Sequence, residues 1–122
     1  MPPTADRDPR GLLPLTPAAF HVLVALADGE MHGYGVIKDV ATRTSGAVEL
    51  GTGTLYGIIK RLLADGLVIE SQHRPAPDDD DARRKYYRLT TFGRRVAIAE
   101  TERLEAMLTA ARGSLLLKKT KP

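Results

Sequence analysis

The stretch Leu50–Leu89 limits what this chain can fold into more than any other. Leu55, Ile58, Ile59, Leu62 and Leu63 fall at i, i+3, i+4, i+7 and i+8, which predicts an amphipathic helix. Thr52 or Thr54 can cap its start, and Gly66 stands where a left-handed residue would end it. The opposite face has Gly57 and Ala64 in its middle, Lys60 and Arg61 at its sides, and Thr54 and Tyr56 on the first turn. That face is slim, basic and free of carboxylate until Asp65, a shape and charge that suit a DNA major groove.

Two strand-like runs follow, Leu67–Gln72 and Lys85–Leu89, with Tyr87 and Leu89 on one side of the second and Tyr86 and Arg88 on the other. A helix followed at once by a hairpin with a long charged tip predicts the helix and wing of a winged helix-turn-helix. The periodicity taken alone fits a plain α+β core equally well. Two further helices are expected upstream. Thr16-Pro17 pairs a hydroxyl N-cap with a proline at the first helical position, and Gly29 stops the helix that follows. From Ala18 to Ala27 only His21 is polar, so this helix must be covered on more than one side, and a C-terminal helix is the economical second cover. Met31-His32-Gly33-Tyr34-Gly35 is a turn that opens the next helix, about Tyr34–Thr44, with an inward stripe of Tyr34, Ile37 and Ala41 beside Val36 and Val40. Thr90 or Thr91 caps a last helix running to about Arg112. Its apolar side is Val96, Ala97, Leu104, Met107, Leu108 and Ala111, and its wet side is mostly Glu100, Glu102, Arg103 and Glu105.

Three segments result. Residues 1–14, with four of the eight prolines, are expected as a disordered arm. Residues 15–90 form the winged helix, and residues 91–122 the C-terminal dimerisation helix with a basic tail. The fold class is mainly α (α+β). At 122 residues the chain is one ordinary domain, or a small domain plus an oligomerisation helix. A net charge of +3 permits a polyanionic partner without requiring one. The lack of cysteine removes disulfides and thiolate metal sites and fits a reducing cytoplasm, and no run of residues has the length or apolarity of a membrane span or a signal-peptide core.

The insert between the strands places Arg74 before four consecutive aspartates, Asp78–Asp81, and Arg83, Arg84 and Lys85 after them. The aspartates repel one another and would repel phosphate, so either the basic shoulders touch DNA or the acids pair with them when DNA is absent. Catalysis has no candidate constellation. The histidines at 21, 32 and 73 lack metal-ligand spacing. Gly51-Thr52-Gly53-Thr54 does not match a phosphate loop, and none of the three serines lies in a nucleophile-elbow context. No cofactor is called for and the chain is not expected to be an enzyme.

Several short motifs, taken in order, resemble the PadR-type transcriptional regulators. They are Leu15-Thr16, His32-Gly33-Tyr34-Gly35-Val36-Ile37, Gly53-Thr54-Leu55-Tyr56, Arg61-Leu62, Asp65-Gly66-Leu67-Val68, and Lys85-Tyr86-Tyr87-Arg88-Leu89-Thr90 with Gly93-Arg94. The short C-terminal part resembles the subgroup with a single terminal helix. The resemblance implies a homodimeric repressor on an inverted-repeat operator, held by the last helix against the partner's first helix. It also implies Thr54 and Tyr56 near DNA and wing cations on the minor groove or its phosphates. The chain departs from the pattern in its acidic wing insert and in having no tryptophan, so the aromatic clamp of multidrug-sensing relatives is missing.

The expected DNA-binding set is therefore Tyr34, Thr52, Thr54, Tyr56, Gly57, Lys60, Arg61, Arg74, Arg83, Arg84 and Lys85. The expected dimer interface is Phe20, Leu23, Val24, Ala27, Val96, Leu104, Met107, Leu108 and Ala111. Tyr56 can instead pack on the core edge, Lys60 and Arg61 can be solvated charges, and Tyr34 can be a packing residue. Gly57, a glycine inside a helix, is best explained by close approach of a backbone or base edge. A small-molecule effector is an expectation from the family alone, with a pocket between first and last helices at Phe20, Val24, Leu104 and Leu108. The competing function is a winged-helix protein-interaction module that does not bind DNA.

Overall fold

The computed structural model of the protein describes residues 7–71, 85–114 and 116. Four α-helices, α1 (Pro17–Ala27), α2 (Gly33–Arg43), α3 (Thr52–Ala64) and α4 (Thr91–Gly113), surround a small sheet of β1 (Met31–His32), β2 (Val68–Glu70) and β3 (Tyr86–Leu89). The sheet is antiparallel throughout in the order β1-β3-β2, with Met31 opposite Tyr87 and Val68 opposite Leu89. The sequence reading missed β1, because two residues are too short for alternation to register and only pairing with β3 makes them a strand. The fold is the expected winged helix-turn-helix with an added terminal helix.

Local chemistry sets the helix ends. Thr16 accepts from the Ala19 N–H ahead of Pro17, His32 Nδ1 accepts from the Gly35 N–H, and Thr90 accepts from the Gly93 N–H. At α3 the expected threonine cap is absent. Gly51 is the capping residue with no side-chain bond, and Thr52 is already helical. Gly29, Gly46 and Gly66 all have positive φ, so each chain reversal after α1, α2 and α3 uses a residue without a Cβ.

One core gathers Val22, Leu23, Ala25 and Leu26 of α1, Val36 and Val40 of α2, Leu55, Ile59 and Leu62 of α3, Val68, Tyr87 and Leu89 of the sheet, and Phe92 and Val96 of α4. The expected inward stripe of α2 is corrected here. Gly33, Val36 and Val40 are the buried positions, and Tyr34 is 56% exposed. Residues 7–14 also differ from the expected disordered arm. Pro9–Leu12 make a 3-10 turn, Leu12, Leu13 and Leu15 pack on the core, and Arg7 donates to the Asp65 carbonyl at 2.8 Å with its guanidinium 4.3 Å from the centre of the Phe92 ring. The cation thus meets the negative end of the α3 dipole and an aromatic face together, which the run of prolines and mixed charges did not reveal.

Two features hold α4 in place. At Gly93 a Cβ would collide with the backbone carbonyl of Leu67, while Thr90 donates to the Gly66 carbonyl at 2.7 Å. Glu100, expected on the wet side, is 1% exposed; it accepts from the Leu15 N–H at 3.0 Å and from both Nε and Nη2 of Arg103. Every buried side-chain polar atom among the described residues has a partner.

Gly93→Ala must move one backbone against another and is expected to cost about 1–3 kcal/mol, read as a lowered urea midpoint. Gly113→Ala, at an open helical position, is the control and is expected to be neutral or stabilising by up to about 1 kcal/mol. The hydrogen bonds from Arg103 hold the Glu100 carboxyl below the usual carboxylate range; burial opposes this, and the Leu15 N–H adds to the lowering. A carboxyl depressed in the folded state contributes stability that is complete above its unfolded pKa, about 4.3, and is lost as pH falls through the folded value. Glu100→Gln is therefore expected to be less stable by about 1.5–3 kcal/mol at neutral pH, with the gap to the parent closing below about pH 4. A gap of the same size in acid would exclude the carboxylate as its source.

Candidate nucleic-acid interface

Burying Leu55, Ile59 and Leu62 leaves the opposite face of α3 in solvent. Thr52, Gly53, Thr54, Tyr56, Gly57, Lys60, Arg61 and Ala64 are all exposed on it. Neither Lys60 nor Arg61 pairs with a carboxylate among the described residues, and nothing lies within 4 Å of where a Gly57 Cβ would be. The glycine is thus not required by this chain's own packing. The apolar stripe is narrower than the periodicity suggests, since Ile58 is half-buried and Leu63 exposed.

Tyr56 is packed at one end and exposed along its side. It is 45% exposed, yet its hydroxyl end lies over Gly33 at the start of α2, where a Cβ could not fit. Burial pushes the Tyr87 phenol up, and the neighbouring Tyr56 and Glu70 add to the shift. Tyr34, the residue after Gly33, is exposed with Lys38 Nζ 5.6 Å from its ring centre. Lys85 and Arg88 are exposed beside the sheet. Arg74, Arg83, Arg84 and the aspartate run lie outside the described residues. Gly33 was absent from the expected set; its signal was a glycine at the first helical position, where nothing in the local sequence needs one.

The second exposed surface lies on the terminal helices. After Glu100 no residue of α4 is buried, and Leu104, Met107, Leu108 and Ala111 run along one side at helical spacing, with Met107 57% and Leu108 51% exposed. On α1, Phe20, Val24 and Ala27 are half-buried, and Ala27 also packs against the core. Leu23 and Val96, expected at the dimer interface, are instead fully buried in this chain's own core and have no surface to give a partner. Leu23 follows the inner face of α1, and Val96 is one turn past Phe92 on the inner face of α4. A groove of about 330 Å³ between the start of α1 and the middle of α4 is lined by Leu15, Pro17, Phe20, His21, Glu100, Arg103 and Leu104. It includes Phe20 and Leu104 of the expected effector pocket, but not Val24 or Leu108. No helix among the described residues is long and apolar enough to cross a membrane.

Residues 22–99 match the transcriptional regulator PadR-like family. Transcriptional regulator Rv3488 of Mycobacterium tuberculosis is 31% identical over 87 residues, which are 71% of this chain and 75% of that protein. A PadR family transcription regulator from Clostridium difficile shares the fold at a TM-score of 0.65 and 21% identity, covering 77% of this chain and 93% of its own. BpsR of Bordetella bronchiseptica, whose DNA binding is regulated by 6-hydroxynicotinic acid, superposes at a TM-score of 0.60 and 30% identity, covering 82% of this chain and 67% of its own. The matched span takes in α3, all three strands and the first half of α4, so the chain belongs to the PadR-like family of transcriptional regulators, a winged-helix family whose members are not enzymes.

Proposed function

We propose that this chain is a transcriptional repressor that binds an inverted-repeat operator in double-stranded DNA as a homodimer, acting in the cytoplasm. The uncovered α3 face supports this reading best. Its centre is small at Gly57 and Ala64, it carries two cations with no carboxylate partner among the described residues, and its first turn presents hydroxyl groups from Thr52 and Thr54. Lys60 and Arg61 neutralise phosphate or donate to guanine edges, and Thr54 and Tyr56 meet the backbone or base edges at the start of the helix. Tyr34 and Lys85 flank the groove. Arg74, Arg83 and Arg84 would follow the wing.

Dimerisation through α4 and the outer face of α1 covers Leu104, Met107, Leu108, Ala111, Phe20, Val24 and Ala27, and would set the distance between two α3 helices. An apolar stripe of that kind on a helix with no buried residue beyond Glu100 favours a second copy as its cover. A small-molecule effector is supported by the regulation of the related BpsR by 6-hydroxynicotinic acid, and the groove at Phe20 and Leu104 is its candidate place.

A gel shift on the DNA upstream of the protein's own gene, run across a salt series, tests the function. Binding should weaken by roughly a thousandfold or more between about 50 and 200 mM salt if six or more phosphates are engaged. No retarded species at low salt would favour the protein-interaction reading. Tyr56→Ala and Arg61→Ala should each cost about 1–3 kcal/mol of operator affinity with the fold retained. Leu108→Glu should give a folded monomer by sedimentation, with operator binding lost. A dimer that survived this change would place the interface elsewhere.

A further inference from the structure

We infer that Gly33 is a positioning residue of the DNA interface: the space where its side chain would be seats the Tyr56 ring and so sets where that ring meets DNA. This rests on the reading of Tyr56 as a DNA contact proposed above. Glycine is among the poorest helix formers, and Gly33 opens α2. It is not one of the glycines held at positive φ, so the backbone gives no reason for it. The reason is across the gap. A Cβ at this position would run into the hydroxyl and Cζ of Tyr56, whereas the helical glycines 53, 57 and 113 have nothing within 4 Å and Gly35 has only ordinary contacts.

Which side would yield to an added methyl group follows from what fixes each. His32, the residue before, is paired with Tyr86 in the sheet, caps α2 through its Nδ1, and sets its ring edge-on to Tyr86 at 5.3 Å. The backbone entering Gly33 is thus held by strand, cap and aromatic contact together. Tyr56 is held by none of these at its outer end, and its side chain can rotate into solvent. A methyl at position 33 should therefore displace the ring and leave the fold intact, moving Tyr56 toward the space that DNA would occupy.

The test combines Gly33→Ala, Tyr56→Ala and the double variant. For each, thermal unfolding and affinity for a duplex selected from a random pool are measured, and the Tyr56 ring resonances are followed in the free Gly33→Ala protein. Gly33→Ala should move those resonances, change Tm by a few degrees at most, and weaken binding at least tenfold. In the Tyr56→Ala background the same change should alter affinity less than twofold. Unmoved ring resonances, or an equal loss of affinity in both backgrounds, would overturn the inference. Should Gly33→Ala unfold the protein, removing the ring should restore it, and a double variant no more stable than Gly33→Ala would be equally fatal. Full affinity in Tyr56→Ala would remove Tyr56 from the interface and Gly33 with it, whereas a ring shift in the same series would show that the seat exists and that only the DNA contact was misplaced.

Discussion

The carbonyl of Leu67 occupies the place where a side chain at position 93 would have to be, and this contact between two backbones decides how α4 leaves the sheet. Thr90 works at the same junction, accepting from the Gly93 N–H and donating to the Gly66 carbonyl, while its own N–H donates to Leu67. The last turn of α3, the start of β2 and the first turn of α4 are therefore one rigid corner. On one side of it is the exposed face of α3 and on the other the helix with the uncovered apolar stripe. The dimer proposed above would need a fixed relation between reading helix and subunit contact to read two half-sites. Backbone packing at a glycine supplies it with fewer soft degrees of freedom than side-chain packing would.

Around that corner the N-terminal segment acts as a strap. Arg7 meets the end of α3 and the Phe92 ring, and the Leu15 N–H reaches the buried Glu100 carboxylate. Glu100 is also the point where α4 changes character, since every buried residue of the helix lies at or before this position. A carboxylate so deeply placed is tolerable only with its oxygens occupied, and Arg103 together with the Leu15 N–H occupies them. The strap lies outside the span matched to the family, residues 22–99.

Much of this was legible one residue at a time. The i, i+3, i+4 spacing from Leu55 to Leu62 placed α3 and its wet face correctly, because a helix with one apolar side can bury only that side. The cap at Thr16 and the stop at Gly66 were equally plain, and the last cap was narrowed to Thr90 or Thr91, since each depends on a few neighbouring atoms. The reading failed where a residue's role depends on something distant in sequence. Tyr34 is on the apolar pattern of α2 yet points outward; Leu23 is on a helix apolar nearly all round, and Val96 shares one apolar side with Leu104 and Leu108, so pattern alone cannot say which residues meet a partner.

Local sequence thus determined the order of helices, their ends, the basic and slender face of α3 and the lack of any catalytic set, because hydrophobic period, capping chemistry and residue type act over a few residues. Tertiary structure alone decided that Glu100 is buried, that Arg7 is tied down, that two residues at Met31 become a strand, and that Gly33 and Gly93 are empty for a reason. Each of these depends on an atom brought close by the fold from at least 20 residues away, and a spacing rule confined to one helix or strand has no access to that distance.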